Sequence, residues 1–420
     1  MLSEMKNIDV LVIGAGPSGT VASTYLANQG YNVMVVEKTS FPRYVIGESL
    51  LPLSMGHFEK VGLLPALEEQ NFEIKEGALF IKDGKEFRIS FDDNFTEGWT
   101  WTWQVPRRQF DKTLADAAER KGVNIKYLST LKSIDFGSKE AVKFEVNTQK
   151  GVEKYSCKFV IDSSGYGGVL NRMLDIPMHV SPTSNMATYV KLNDDTRAQW
   201  ENPTQISFEI LKTDLWLWVI PFHNENTSLG FVGNKKYFSE FLEEGADTEA
   251  AFNNMFNHSI KFKERFKGRD FLWKPTVHKD YTRSSEKFFG DRFVLTGNTT
   301  EFLDPVFSSG VAFATESGLV AAKLVERELN GEKIDWKKEY VDHLEYGIDV
   351  FRTYVKEWYS GDLQKIFFHA NVNSLMKKQL TSVLAGYVWD KKNPFVRKHK
   401  TILNTLAEVA GIEKMTKAKA

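Results

Sequence analysis

Cysteine is nearly absent: the 420 residues contain one, Cys157. A lone thiol excludes an internal disulfide and any multi-thiolate metal or iron–sulfur site, which fits a reducing compartment. No other metal-ligand set stands out. An excess of charge of either sign is missing too. Fifty-four Lys and Arg against 55 Asp and Glu leave a net charge of -1, which removes the electrostatic basis for nucleic-acid binding. No apolar run approaches the ~18 residues that would span a bilayer, and the N-terminus lacks a signal-peptide core, so the expectation is a cytoplasmic chain without a membrane span. Repeats and low-complexity linkers are also lacking.

What is present is material for a large core. Hydrophobic residues make up 42% of the chain, with ten Trp and 31 Phe. A chain this long divides into two or three interlocked lobes. The aromatic residues suit packed cores and a planar-ligand pocket alike. An apolar strand, Val10-Leu-Val-Ile13, runs into a glycine turn. A helix with Val21, Ala22, Tyr25 and Leu26 on one side follows, and then a second strand, Val33-Met-Val-Val36. This is a βαβ unit. Arg107 to Lys121 reads as a helix, and Phe159-Val-Ile-Asp162 and Arg292-Phe-Val-Leu-Thr-Gly297 bring the same lobe back twice. The expected fold is therefore α/β with a β-rich substrate lobe: a discontinuous Rossmann-type nucleotide lobe (1–90, 105–175 and 285–335), a β-rich substrate lobe (91–104 and 176–284) and a C-terminal helical region (336–420).

Gly14-Ala-Gly16-Pro-Ser18-Gly19 lies between the first strand and the helix. Gly14 can make the tight turn, Gly16 can let a pyrophosphate reach the backbone, and Gly19 can let helix and strand pack closely. The helix N-terminus then faces the phosphates. Such a turn alone is weak evidence, but Glu37, followed by Lys38, closes the second strand 18 residues after Gly19. A carboxylate there can accept both ribose hydroxyls, so the unit reads as a dinucleotide site. FAD is preferred over NAD because Asp162-Ser-Ser-Gly165 and Gly297-Asn298-Thr-Thr-Glu-Phe-Leu-Asp304-Pro305 place short polar residues at strand ends where a ribityl chain and ring would lie.

With Arg107-Arg-Gln-Phe-Asp111, which is similar to an R-x-x-F-D segment, these stretches resemble the FAD-dependent monooxygenase superfamily of the p-hydroxybenzoate hydroxylase type. The resemblance implies that fold and an FAD contact for Arg107. Gly297-Asn298 departs from that superfamily's usual Gly-Asp, keeping a hydrogen-bonding side chain without its charge.

Within the superfamily the chain more closely resembles the flavin-dependent halogenases. Phe41-Pro-Arg-Tyr-Val-Ile-Gly-Glu48-Ser49-Leu-Leu-Pro52 is similar to their segment beside the flavin. Trp216-Leu-Trp218-Val-Ile-Pro221 is similar to their W-x-W-x-I-P signature, and Phe302-Leu-Asp-Pro305-Val-Phe-Ser308-Ser309-Gly310, followed by Val311, to their turn at the flavin ring. Lys75, in Phe72-Glu-Ile-Lys75-Glu-Gly77, matches the position of their catalytic lysine; without that context it would read as a solvated surface lysine.

The resemblance implies a two-component halogenase. FADH2, delivered by a separate flavin reductase, reacts with O2 through a C4a-hydroperoxide; chloride or bromide near the amides of Ser309 and Gly310 becomes hypohalous acid, which Lys75 passes to an electron-rich arene. The helix start after Gly310 suits an anion; its alternative role is to bind the ring's carbonyl edge. Trp216 and Trp218 would wall the ring from the substrate, or else serve as core. Trp99, Trp101 and Trp103 alternate onto one face, as a substrate-lobe wall or a packed core.

Tryptophan-type halogenases carry a glutamate where this chain has Phe307, which implies a phenol or pyrrole, free or carrier-tethered. The last 30 residues hold eight Lys or Arg, including Lys391, Lys392, Arg397 and Lys398, and carry +6 against about -7 for the rest. Such a tail could dock an acidic acyl carrier protein or simply be a solvated helix. The alternatives are an aromatic hydroxylase, in which Lys75 is incidental, an isoprenoid-type double-bond reductase, and a flavin-binding protein without turnover.

Overall fold

The computed structural model describes residues 5–181, 185–369 and 373–419, with side chains to residue 411. Its organising layer is a six-stranded sheet in which Phe293–Leu295, Phe159–Asp162, Val10–Ile13, Val33–Val36 and Asn124–Lys126 run parallel, with Phe289–Gly290 antiparallel at one edge. The strands Val10–Ile13, Val33–Val36 and Phe159–Asp162 are buried at every position. Near-continuous apolar runs with no polar alternation are what a parallel sheet covered on both faces requires. The helices Pro17–Asn28 and Ser309–Leu329 cover this sheet and pack against each other.

Glycine is obligatory where these parts touch. Gly14 has φ +98°, its N–H donates to Val36 O at 2.8 Å, and a Cβ there would lie 2.6 Å from Ser163 O. A Cβ on Gly19 would lie 1.9 Å from Gly14 O, so the first helix and the turn beneath it are in backbone contact. This is the close packing anticipated for Gly19.

A second, seven-stranded sheet runs in the order Thr276–His278, Met186–Asn193, Asn226–Gly233, Leu215–Pro221, Ser207–Lys212, Gly77–Lys82 and Lys85–Ser90. Every pairing is antiparallel except that of Ser207–Lys212 with Gly77–Lys82. The expected nucleotide segment 1–90 therefore ends too late: the hairpin 77–90 belongs to the sheet of the substrate lobe, because its backbone bonds go to Ser207–Lys212. The stretch 91–104 also differs from expectation. Thr102–Gln104 pairs with Glu73–Lys75 in a separate two-stranded ribbon, and Trp103 packs with Phe58, Phe110 and Leu114 from helices of the nucleotide lobe. Rings of Trp99, Trp101 and Trp103 follow one another edge to face at centroid spacings of 5.3 Å. Only Trp103 is fully core; Trp99 and Trp101 are half-buried against it.

The C-terminal region is helical, with Asp342–Ser360, Ser374–Leu384 and His399–Lys419 as its longest helices. Lys391, Lys392, Arg397 and Lys398 are exposed there, while Glu413 and the last lysines lie outside the described side chains. Among the described residues no helix is long and apolar enough to cross a membrane.

Gly19→Ala is expected to destabilise the protein by about 3 kcal/mol, the order for overpacking a contact that cannot yield. Denaturant unfolding with and without added FAD checks this; a variant as stable as wild type would show that the helix can move away.

Candidate active site

Between the two sheets lies a cavity of about 270 Å³. Its floor comes from the nucleotide lobe: Ile46, Gly47, Glu48 and Ser49 on one side, Pro305, Ser308, Gly310 and Val311 on the other. The opposite wall is the strand Leu215–Pro221, buried at all seven positions. Strand alternation sends Leu215, Leu217 and Val219 into a phenylalanine-rich core and turns Trp216, Trp218 and Ile220 to the cavity. Both tryptophans therefore face the chamber. Trp218 Nε1 donates to Ser228 Oγ at 3.1 Å, and its ring lies directly on Gly230, where a Cβ would stand 2.1 Å from Cζ2.

Trp216 Nε1 donates to Tyr359 Oη at 3.0 Å, and Tyr359 donates to Asp304 at 2.9 Å. Asp304 also accepts from Asn185 Nδ2 at 3.0 Å and caps Val306 N at 3.2 Å. It is wholly buried, and that burial pushes its pKa up against the hydrogen bonds that hold it. Asp304, read from sequence as a cofactor contact, thus spends its oxygens on shaping the Pro305–Phe307 turn. Asp162 does likewise. Its two oxygens accept Ser164 N at 2.9 Å and Leu170 N at 2.7 Å, which fixes the loop carrying Gly165. Asn298 stands beside that loop, its Cβ 4.0 Å from where a Cβ on Gly165 would sit, and Gly297 has φ +59° and donates to Ser317 Oγ at 2.8 Å.

The phosphate end is open to a dinucleotide. Gly16 caps the first helix in extended conformation, with no side chain closing the N-terminus. The Arg43 guanidinium comes within 3.4 Å of where a Cβ on Gly16 would be, and its Nε is buried without a hydrogen-bond partner among the described residues. The guanidinium is partly exposed and also pairs with Asp111 at 3.4 Å, so one cationic side chain with a free N–H stands at a helix N-terminus, which fits a pyrophosphate. Glu37 closes the second strand, Oε1 accepting Thr39 N at 3.0 Å and Thr39 Oγ1 at 2.7 Å and Oε2 accepting Ala15 N at 3.0 Å, with one lone pair on Oε2 remaining for a ribose. Ser18 is turned inward to Thr296 Oγ1 at 2.9 Å, and Lys38 is exposed. These residues fit FAD. Arg43 lies inside the motif that carried the resemblance, yet was not singled out from sequence.

Arg107, for which the resemblance implies an FAD contact, is held by partners within the protein. Its Nε and Nη2 hold Asp111 at 2.7 and 3.0 Å, while Nη1 donates to the carbonyls of Ile46 at 2.9 Å and Gly47 at 3.2 Å. It clamps the floor segment 46–49 to its own helix.

Lys75 is 3% exposed, so the solvated reading fails. The amine donates to Ser49 Oγ and to Leu50 O, each at 2.8 Å, and lies 5.4 Å from the Phe91 ring centroid. Ser308 Oγ in turn donates to Ser49 Oγ at 3.1 Å. Ser49 and Ser308 line the chamber and Lys75 stands behind them, one hydroxyl away. Ser308 holds φ +57°, a left-handed backbone that costs a residue with a Cβ, at the very N-terminus of helix Ser309–Leu329. The sequence motif named Ser309 and Gly310; the side chain that meets Ser49 is that of Ser308. Phe307 points away from the chamber and packs on Tyr354 and Trp358.

Burial pulls the Lys75 pKa down from 10.5 to about 7. The unfolded chain keeps this amine charged up to the ordinary lysine range, so between those values it binds more protons than the folded protein. The resulting stability penalty is complete at pH 7 and below and fades as the pH rises towards 10.5. Lys75→Met should therefore gain stability relative to wild type most at pH 6–7, the difference shrinking by pH 10. Paired thermal melts across that range test it; a pH-independent difference would mean the amine is not desolvated. Arg43→Ala should weaken FAD binding about tenfold or more, the order for losing a charge-assisted contact, as read by fluorescence titration.

Comparison with known proteins agrees with this geometry. Residues 7–332 match the family described as FAD binding domain. A 1H-pyrrole-2-carbonyl peptidyl-carrier-protein chlorinase of Pseudomonas fluorescens is 26% identical over 392 residues, covering 87% of this chain and 84% of its own length. A tryptophan 2-halogenase of Chondromyces crocatus is 30% identical over 77% of this chain, which spans 62% of that relative. Among solved structures, a flavoprotein/dehydrogenase from Cytophaga hutchinsonii superposes with a TM-score of 0.92 at 44% identity, covering 97% of this chain and all of that one. The flavin-dependent brominase Bmp2 shares the fold, with a TM-score of 0.81 at 24% identity.

Proposed function

The chain belongs to the FAD binding domain family and is an FAD-dependent enzyme of the halogenase type, and we propose that it halogenates a phenol or a pyrrole through Lys75. The observation that carries this is the buried amine, joined to the chamber by Ser49 and Ser308. A lysine burial of this kind is costly, and among the described residues no carboxylate pairs with the amine to offset it.

Gly14, Gly16, Glu37 and Arg43 would hold the nucleotide of FAD, and the 46–49 and 305–311 segments its ring. FAD bound there and reduced by a separate reductase would supply the O2 activation needed to oxidise chloride or bromide to an electrophilic halogen. The first-turn N–H groups of Ser309 and Gly310 have no acceptors within their helix and carry its positive dipole end, so they hold the halide. Trp216 and Trp218 keep water and arene from the ring. Lys75 receives the electrophilic halogen, by hydrogen bond as the ammonium or by an N–halogen bond as the neutral amine. With a pKa near 7 it populates both forms at neutral pH.

The substrate class follows from Phe307, which offers the arene no carboxylate and faces the core. A ring activated by its own oxygen or nitrogen needs none. Two relatives are named for a pyrrole on a peptidyl carrier protein, and the exposed Lys391, Lys392, Arg397 and Lys398 supply a basic surface for an acidic carrier; free and tethered arenes both fit this reading.

With FAD, a flavin reductase, NADH and bromide, a phenol and pyrrole panel should give brominated product by mass spectrometry, reduced about 100-fold or more in Lys75→Ala, the scale of losing a positioned proton-transfer or covalent group. Wild-type rate should change with an apparent pKa of about 7. Hydroxylated product indifferent to the substitution would establish the hydroxylase alternative instead.

A further inference from the structure

Glu48, in the segment assigned to the ring, forms an ion pair with Lys191 whose charges have no role in the mechanism above. Glu48 is 4% exposed and lies in the floor segment, between Gly47 and Ser49, which also line the chamber. Its Oε1 is bonded to Lys191 Nζ, while Oε2 is buried without a partner among the described residues. Lys191 comes from the other lobe, on strand Met186–Asn193, and is itself buried. Its amine sits 4.8 Å from the Phe222 ring centroid and 5.5 Å from that of Trp273. Two opposite charges are thus buried together, the negative one in a segment that lines the chamber and the positive one behind it.

We infer that the Glu48–Lys191 pair sets the charge balance felt by the bound isoalloxazine, and so its preference for oxidised over reduced flavin. This rests on FAD occupying the chamber and is independent of halogen transfer. Two electrons and one proton convert the neutral oxidised ring to the hydroquinone monoanion, and a second proton gives the neutral hydroquinone. A fixed carboxylate beside the ring opposes the monoanion, and the ammonium bonded to it offsets that opposition. Buried charges of this kind are weakly screened. A removed partner would leave the other charge acting alone. The unpartnered Oε2 adds an acceptor that a ring N–H or a substrate O–H can satisfy.

The potential of bound relative to free FAD reports the ratio of affinities for the two oxidation states by linkage. The test is therefore reductive titration of the FAD-loaded protein with dithionite against a reference dye, with Tm measured in parallel. Glu48→Gln should shift the potential to more positive values, with reduced FAD favoured about tenfold or more over oxidised FAD. Lys191→Met should shift it to more negative values, and the double variant E48Q/K191M should return near wild type. The charge-swapped variant E48K/K191E keeps an ion pair between the lobes but reverses its polarity, and should also shift positive. Wild-type potentials in both single variants and in the swap would overturn the proposal and leave the pair a clasp. A swap that keeps its Tm but loads no FAD would also count against it, since the pair would then place the ring rather than tune it. Bromination by wild type can succeed or fail in either case, so the two readings fail separately.

Discussion

The grip of one guanidinium on a strap of backbone underlies the whole site. Arg107 spends two bonds on Asp111 and two on the carbonyls of Ile46 and Gly47, so the segment that follows leaves a fixed point. From there two successive side chains diverge. Glu48 crosses to Lys191 in the other lobe, while Ser49 meets Lys75 and Ser308. A bidentate, buried Arg–carboxylate pair supplies the directional rigidity that a lysine could not. Chamber floor, lobe-to-lobe ion pair and the approach to the amine all share this anchor.

The two lobes contribute different chemistry. The nucleotide lobe brings glycine contacts, helix N-termini and carboxylates already busy with backbone N–H groups. Asp162 and Asp304 shape the loops that follow them. The substrate lobe brings indoles and a strand with no exposed position. Lys75 sits at the junction, on the last strand before the chain crosses into the seven-stranded sheet. Its environment is therefore set by both lobes, with Phe91 beyond one side and Ser49 on the other.

Much of this was legible in the residues. The βαβ unit, the roles of Gly14 and Gly19, and the shared strand face of Trp216 and Trp218 follow from local periodicity and from the steric demands of a tight turn. What was not legible was long-range. The hairpin 77–90 alternates like any strand pair, and nothing in it announces a parallel partner at Ser207–Lys212. Short acids at strand ends serve as loop caps or as ligands with the same sequence signature, so the caps formed by Asp162 and Asp304 do not show in it. Arg107 stood in a motif that named its neighbourhood and not its partner. Lys191 did leave a trace: a cation in the otherwise apolar run Met186-Ala-Thr-Tyr-Val-Lys191-Leu, where a strand buried on both faces has to find it a counter-charge.

Because the Trp218 indole rests on bare backbone at Gly230, this part of the far wall has no side chain beneath the ring that could give way. Room for a bulkier guest there has to come from trimming that indole itself, and natural variants with a wider chamber at this end should have changed residue 218 before residue 230.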